Sequence, residues 1–244
     1  MIAKRLFLST MVLGVSLSAL AHKDDDDDKR RLRAEPFVFV GKVGDCGDTA
    51  GSNIVTSAWL AGMGLPDSDG KRDPRLGLLL SKNGPTADCS AAGAEIKGVK
   101  GTVVTPDFAL GFDYRNGGHC GAGAPRFNVT YTIPGGGEDF SFVGGCSNDA
   151  TPTPAPQDPL QWSRVRFQTS SPAESSPPIP AGSRIQSITI IFDEGTDIAT
   201  GPRPSGDAGN PAGIGLTVLD NIFINGRVIS SGRGIEPKPK EHDD

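Results

Sequence analysis

Seven acidic side chains fall into two groups with the spacing of cation ligands. Asp67-Ser68-Asp69-Gly70-Lys71-Arg72-Asp73 sets three carboxylates at near-alternating positions around a glycine. Hard oxygen ligands spaced in this way wrap a calcium ion, and the glycine permits the tight turn. The run lacks the closing glutamate of an EF-hand loop, and Lys71 and Arg72 oppose its field. Asp193, Glu194, Asp197 and Asp220 form a second group if neighbouring strand ends meet. Structural calcium is the one cofactor these residues would take. The plainer reading is that Asp favours turn conformations for its own reasons.

Aromatic side chains offer a second chemistry, because sugar rings stack on exposed Trp and Tyr. The chain has only two of each. Trp59, Tyr114 and Trp162 are the candidate platforms. Trp59 (in Ser57-Ala58-Trp59-Leu60) and Trp162 (in Gln161-Trp162-Ser163-Arg164) both sit at strand positions. A Trp in a sandwich strand also serves as core or rim, and this competes with the platform reading.

Nucleophilic and acid–base catalysis find little material. His22, His119 and His242 are the three histidines. A Ser-His-Asp triad would have to run through His119, and no G-x-S-x-G turn nominates a serine. A glycosidase needs only two carboxylates across a sugar. Glu138, in a glycine loop, and Glu194, in an acidic turn, are the residues that would act as acid. Cleavage after Ala21 would make His22 an N-terminal copper ligand with His119 as its partner, but Lys23 and five aspartates follow it and favour an incidental histidine. Zinc is disfavoured because no cysteines have C-x-x-C spacing. The glycines at 117–123 and 135–137 precede strands, so they read as turns and not as phosphate cradles. Asn128-Val129-Thr130 fits a glycosylation pattern but falls inside an expected strand.

The elements that must position these residues are strands. Short β-branched and aromatic runs bounded by Gly, Pro, Asn and Asp lie at 37–40, 53–60, 76–81, 95–104, 108–114, 126–133, 139–143, 162–167, 185–192 and 216–224. Phe127-Asn128-Val129-Thr130-Tyr131 alternates so that its apolar residues share one face. No segment carries a helical stripe of useful length. Gly 33 and Pro 20, about a fifth of 244 residues, suit many turns. The expected fold is all-β, a two-sheet jelly-roll-type sandwich with long Pro/Gly-rich loops. The Pro-rich stretches 151–159 and 170–182 read as inter-strand loops, because what separates or follows them is too short for a domain.

Met1–Ala21 reads as a secretory signal peptide: Lys4 and Arg5, an uncharged apolar run, then Ala19-Leu20-Ala21. The protein is therefore expected outside the cytoplasm, extracellular or periplasmic. Residues 22–34, with five aspartates followed by Lys29-Arg30-Arg31, form a charge block expected to be disordered and resembling a protease-cleavage or tag sequence. The domain is expected over 35–229, with a flexible tail at 230–244. No C-terminal hydrophobic anchor or sorting motif points to a membrane or wall. Removing the leader takes away two bases and no acid, moving the formal charge from −5 to −7. That balance argues against nucleic acid as a partner. Cys46, Cys89, Cys120 and Cys146 in an exported chain favour two disulfides. Three pairings are open. The sequential one, Cys46–Cys89 and Cys120–Cys146, is favoured because neither loop entangles the other.

Three stretches together carry a resemblance: Cys120-Gly121-Ala122-Gly123-Ala124-Pro125-Arg126-Phe127-Asn128-Val129, Phe192-Asp193-Glu194-Gly195-Thr196-Asp197, and Leu219-Asp220-Asn221-Ile222-Phe223-Ile224-Asn225-Gly226. The combination resembles uncharacterised secreted bacterial β-sandwich proteins and, more loosely, the jelly-roll, galactose-binding-like carbohydrate-binding modules. It covers about 111–226. In those modules the first acid of a last-strand Asp-Asp or Asp-Asn pair binds structural calcium, which makes Asp220 the best single ligand by resemblance. The resemblance implies a non-catalytic protein that binds a carbohydrate. A secreted polysaccharide hydrolase and a structural matrix component are the alternatives, since such sandwiches host many functions.

Overall fold

The computed structural model describes residues 31–66, 74–146, 148, 151–198 and 213–230. The leader, the block at 22–30, the acidic loop 67–73 and the tail from 231 lie outside the described residues. The described residues form strands and loops with no helix, and among them no helix is long and apolar enough to cross a membrane.

Thirteen strands are described: β1 Arg33–Val40, β2 Val55–Leu60, β3 Gly77–Lys82, β4 Ser90–Lys97, β5 Ala109–Arg115, β6 Arg126–Thr132, β7 Glu138–Gly144, β8 Thr153–Pro154, β9 Trp162–Gln168, β10 Ser175–Ser176, β11 Arg184–Phe192, β12 Leu216–Ile224 and β13 Arg227–Ile229. They build a six-stranded sheet, β1-β4-β11-β6-β7-β10, and a seven-stranded sheet, β2-β3-β12-β5-β9-β8 with β13 beside β12. Every pairing is antiparallel.

Four of these pairings are nested. β6 pairs β7, β5 pairs β9, β4 pairs β11 and β3 pairs β12. The chain between β3 and β12 is thus one long antiparallel hairpin whose arms fold over each other. Alternate arms fall into opposite sheets, giving β4-β11-β6-β7 facing β3-β12-β5-β9. This is the double Greek key of a jelly roll, as the strand pattern and Pro/Gly content lead one to expect. β1 and β2 extend one sheet each.

Alternation decides which side chains fill the space between the sheets. In β6, Phe127, Val129 and Tyr131 are buried while Arg126, Asn128, Thr130 and Thr132 face outward. Phe112, Phe127 and Phe167 pack at centroid separations of 5.9 Å, with Ile188, Ile190, Leu219 and Ile222 in the same core. A smaller cluster, Leu65, Ala155, Trp162 and Val218, forms a second core.

Two boundaries differ from the sequence reading. The strand expected at 95–104 runs instead from Ser90 to Lys97. Gly98 and Gly101 follow with φ of 80° and 86°, which only glycine adopts without strain, so the chain turns there. β1 begins at Arg33, inside the block expected to be disordered. Ala34 is fully buried and its carbonyl accepts the Trp59 indole N–H at 2.9 Å, which ties down the end of that block. The loops at 151–159 and 170–182 are long inter-strand connections that contain only β8 and β10. Both disulfides have the sequential pairing, Cys46–Cys89 and Cys120–Cys146.

Candidate functional site

The jelly-roll winding gathers the β3–β4, β5–β6, β7–β9 and β11–β12 connections at one end of the sandwich. Backbone and side-chain contacts confirm it: Thr196 N–H donates to Gly84 O, and Asn148 Nδ2 donates to Ala122 O, both at 2.8 Å. Asp193, Glu194 and Asp197, expected as cation ligands, all lie here, and each is held by protein groups. Asp193 receives both guanidinium nitrogens of Arg126, at 2.7 and 2.8 Å. Glu194 bonds Nε2 of the fully buried His119 at 2.5 Å and accepts the Gly123 N–H. Cβ atoms at Gly121 and Gly123 would run into that carboxylate, so glycine at both positions lets the loop close over it. Asp197 accepts the N–H and hydroxyl of Thr86, which hold its carboxyl below the usual range.

A cation does sit in this end, and it belongs to the chain. Lys82, 1% exposed, points its ammonium at the carbonyls of Thr86, Asp88 and Asp193, at 2.9, 2.6 and 3.0 Å. Burial lowers its pKa, and the carboxylates of Asp193, Asp88 and Asp197 oppose that shift. Three saturated hydrogen bonds are what a buried ammonium requires. Sequence reasoning missed this residue because a lysine closing a strand reads as a solvated charge.

Asp220 does not join the other three acids. It lies within β12 in register with Asp113 of β5, is buried, and accepts the N–H groups of Leu65 and Asn221. The strand irregularity there, with Asn221 at φ 44°, aims it at residues 64–65. Asp113 is itself engaged by Arg164 through two bonds of 2.8 Å and by Asn221. Among the described residues no three His, Cys, Asp or Glu side chains form a metal-holding group. The Asp67–Asp73 run and His22 lie outside those residues.

The aromatic platforms are a correction. Trp59 is 1% exposed, Tyr114 is fully buried, and Trp162 is 3% exposed within the second core. None presents a ring to a ligand. Large apolar surface at strand positions went to the two cores, where it is worth most. The exposed rings are phenylalanines. Phe140 and Phe142 alternate along β7 with the buried Ser141 and Val143, so both point outward from the six-stranded sheet. Phe142 is 46% exposed, its ring centroid lies 4.8 Å from that of Phe140, and the Arg126 guanidinium stands 5.1 Å from it. Across the strand pair Phe142 faces Asn128 and Phe140 faces Thr130. The alternation Phe140-Ser141-Phe142-Val143 was the signal. It reads outward aromatics only if Ser141 is taken as the inward residue, and Ser141 is indeed satisfied inside by Ser175 and the Pro177 carbonyl.

A groove of about 310 Å³ opens beside Phe142, with Arg126, Gly123, Asn148, Glu174 and Ser176 among its walls. It joins an apolar ring, a guanidinium, a carboxylate and an amide. A larger cleft of about 840 Å³ beside β2, β3 and β12 has neither a charged nor an aromatic side chain among the residues lining it, such as Asn53, Thr56, Ser81 and Asn83. Glu138 and Glu194 do not form a catalytic pair. Glu138 lies opposite Thr132 at one end of β6, and Glu194 beside Arg126 and Gly123 at the other. The length of β6 separates them by roughly 20 Å, beyond the roughly 5–9.5 Å of glycosidase carboxylates.

No protein-family model matches the chain, and neither does any curated protein or solved structure.

Proposed function

We propose that the chain is an exported, non-catalytic carbohydrate-binding protein whose ligand lies on the outer face of the six-stranded sheet, beginning at Phe142. The observation that carries this reading is the exposed Phe142 ring directly opposite the Asn128 amide and beside a groove with charged walls. Sugars are amphipathic: their C–H faces pack on aromatic rings while their hydroxyls need donors and acceptors in fixed places, and this juxtaposition offers both. The signal-like leader at 1–21 and the two disulfides support export.

A thermal-shift panel of neutral and acidic sugars tests the reading, since a ligand that binds only the folded state raises its melting temperature. The expected result is a sugar-dependent rise that Phe142→Ala removes while leaving the unliganded melt nearly unchanged, because Phe142 is a surface residue. A rise that survives Phe142→Ala would move the site elsewhere. No rise with any sugar would reject carbohydrate as the ligand.

A further inference from the structure

We propose that this face is built for an extended, uncharged polysaccharide chain lying across the strands, with Phe142 and Phe37 as its two outer platforms. The inference rests on the carbohydrate reading above and adds the form and charge of the ligand. Phe37 stands on β1, the far edge of the same sheet, paired with Gly93 of β4. A Cβ on Gly93 would come within 2.6 and 2.8 Å of the Phe37 ring atoms Cζ and Cε1, so the ring is folded down over bare backbone. A ring laid against a sheet in this way is a stacking surface, whereas an upright ring offers an edge.

The register fixes how the platforms are related. One row across the strands runs Glu35, Glu95, Thr189, Asn128, Phe142. The next runs Phe37, Gly93, Ile191, Arg126, Gly144. Phe37 and Phe142 are therefore four strand spacings and one row apart, about 20 Å. No single sugar ring bridges that distance, whereas a short run of linked sugars does. Between the rings the two rows carry Glu95, Thr189 and Asn128, and Gly93, Ile191 and Arg126, so the short Gly93, Thr189 and Asn128 alternate with longer side chains. The Oδ1 of Asn128 is shielded from water and finds no hydrogen-bond partner among the described residues. An unsatisfied acceptor is costly, and a ligand hydroxyl met by a turn of the amide would relieve it.

Charge selects the class of polymer. Three cations of the face are matched by a carboxylate beside them: Arg33 with Glu35 at 2.6 Å, Lys97 with Glu95 at 2.5 Å and with Glu35 at 3.8 Å, and Arg126 with Asp193. The fourth, Arg184 opposite Thr132, reaches the Gly101 carbonyl at 3.5 Å. Glu138, opposite Thr132, adds negative charge at the hairpin tip. A face whose bases are balanced in number by carboxylates gives uronates and sulfated glycans no net attraction, and it suits a hydroxyl-rich neutral chain.

Calorimetric titration with oligomers of glucose, xylose, mannose and N-acetylglucosamine, from monomer to hexamer, tests the proposal alongside a uronate series. The expected outcome is affinity that climbs with length in one neutral series and then levels off. Phe37→Ala and Phe142→Ala should each weaken the longest oligomer about tenfold while leaving the shortest binder almost unaffected. Phe37→Leu keeps the apolar cover over Gly93 without a stackable ring, so its loss of affinity in a normally melting protein separates recognition from folding. Monomer binding as tight as hexamer binding would overturn the extended site and leave carbohydrate binding standing. A preference for uronates would overturn the charge argument. No binding in any series would overturn both readings. So would a dimer in sedimentation that Phe142→Ala dissociates, since a second copy would then occupy the face.

Discussion

Asp88 and Lys82 stand on either side of the same loop and meet opposite constraints. The lysine is buried and takes three carbonyls. The aspartate is exposed, and Ser52 and Ser90 hydroxyls, each at 2.6 Å, together with the Ser52 N–H, hold its carboxyl down to about 2 from the ordinary 3.8. All three bonds favour the ionised form. The folded value lies below the unfolded one, so what this carboxylate contributes to stability is complete above pH 3.8 and is lost as the pH falls toward 2. Ser52→Ala removes the hydroxyl bond that lowers the pKa most. Following the Asp88 side-chain carbonyl by NMR through an acid titration should show its midpoint move upward in the variant. An unmoved midpoint would mean that the Ser52 hydroxyl does not hold the charge. None of this was legible beforehand, because Asp88 is 36 residues from Ser52 and neither sits in a motif.

Between elements, the connections at the acidic end are fastened several times over. Cys120–Cys146 joins the β5–β6 connection to the segment after β7, and His119–Glu194 and Arg126–Asp193 join the same connection and its following strand to the end of β11. Cys46–Cys89 ties the segment between β1 and β2 to the start of β4. The closed loops span 26 and 43 residues, for which chain entropy gives roughly 3.5 and 4 kcal/mol. Replacing each pair by alanines should lower the urea midpoint in that order, with the Cys46–Cys89 deletion the costlier. The reverse order would show that native contacts around Cys120, in the main core, outweigh loop length. The strands themselves were largely readable. Leu216–Ile224 and most of β5, β6, β7, β9 and β11 declare themselves through β-branched and aromatic alternation. β4 did not, because Ser90-Ala91-Ala92-Gly93-Ala94 has the composition strands avoid. Small residues are needed there: Phe37 covers Gly93 on one face, and the Ser57 hydroxyl reaches the Gly93 carbonyl at 2.6 Å from the other sheet. The site was less readable than the fold for the same reason. Alternation says that two faces exist, and it does not say which of them a Trp or a Phe will take.

For the whole molecule, the nested pairings mean that β3 and β12, 134 residues apart at the Ser81–Gly215 contact, enclose everything between them in sequence. Such long-range topology folds slowly but melts as a unit, since the long strands of both sheets contribute to one shared core. The two tryptophans are placed to test this. Trp59 lies in the main core and donates to Ala34 across the sheets, whereas Trp162 lies in the smaller cluster with Leu65, Ala155 and Val218. Both clusters depend on β12, which gives Leu219 and Ile222 to the main core and Val218 to the smaller one. Trp59→Phe and Trp162→Phe leave one reporter each. Referred to calorimetric midpoints of the same variants, the two fluorescence transitions should coincide with the heat absorption. If the Trp162 reporter melts several degrees before the calorimetric transition, the segments carrying Leu65 and Ala155 open as a separate unit. The sandwich would then be a stable two-sheet body with a detachable cover, and the outer face carrying Phe37 and Phe142 would belong to the part that stays folded.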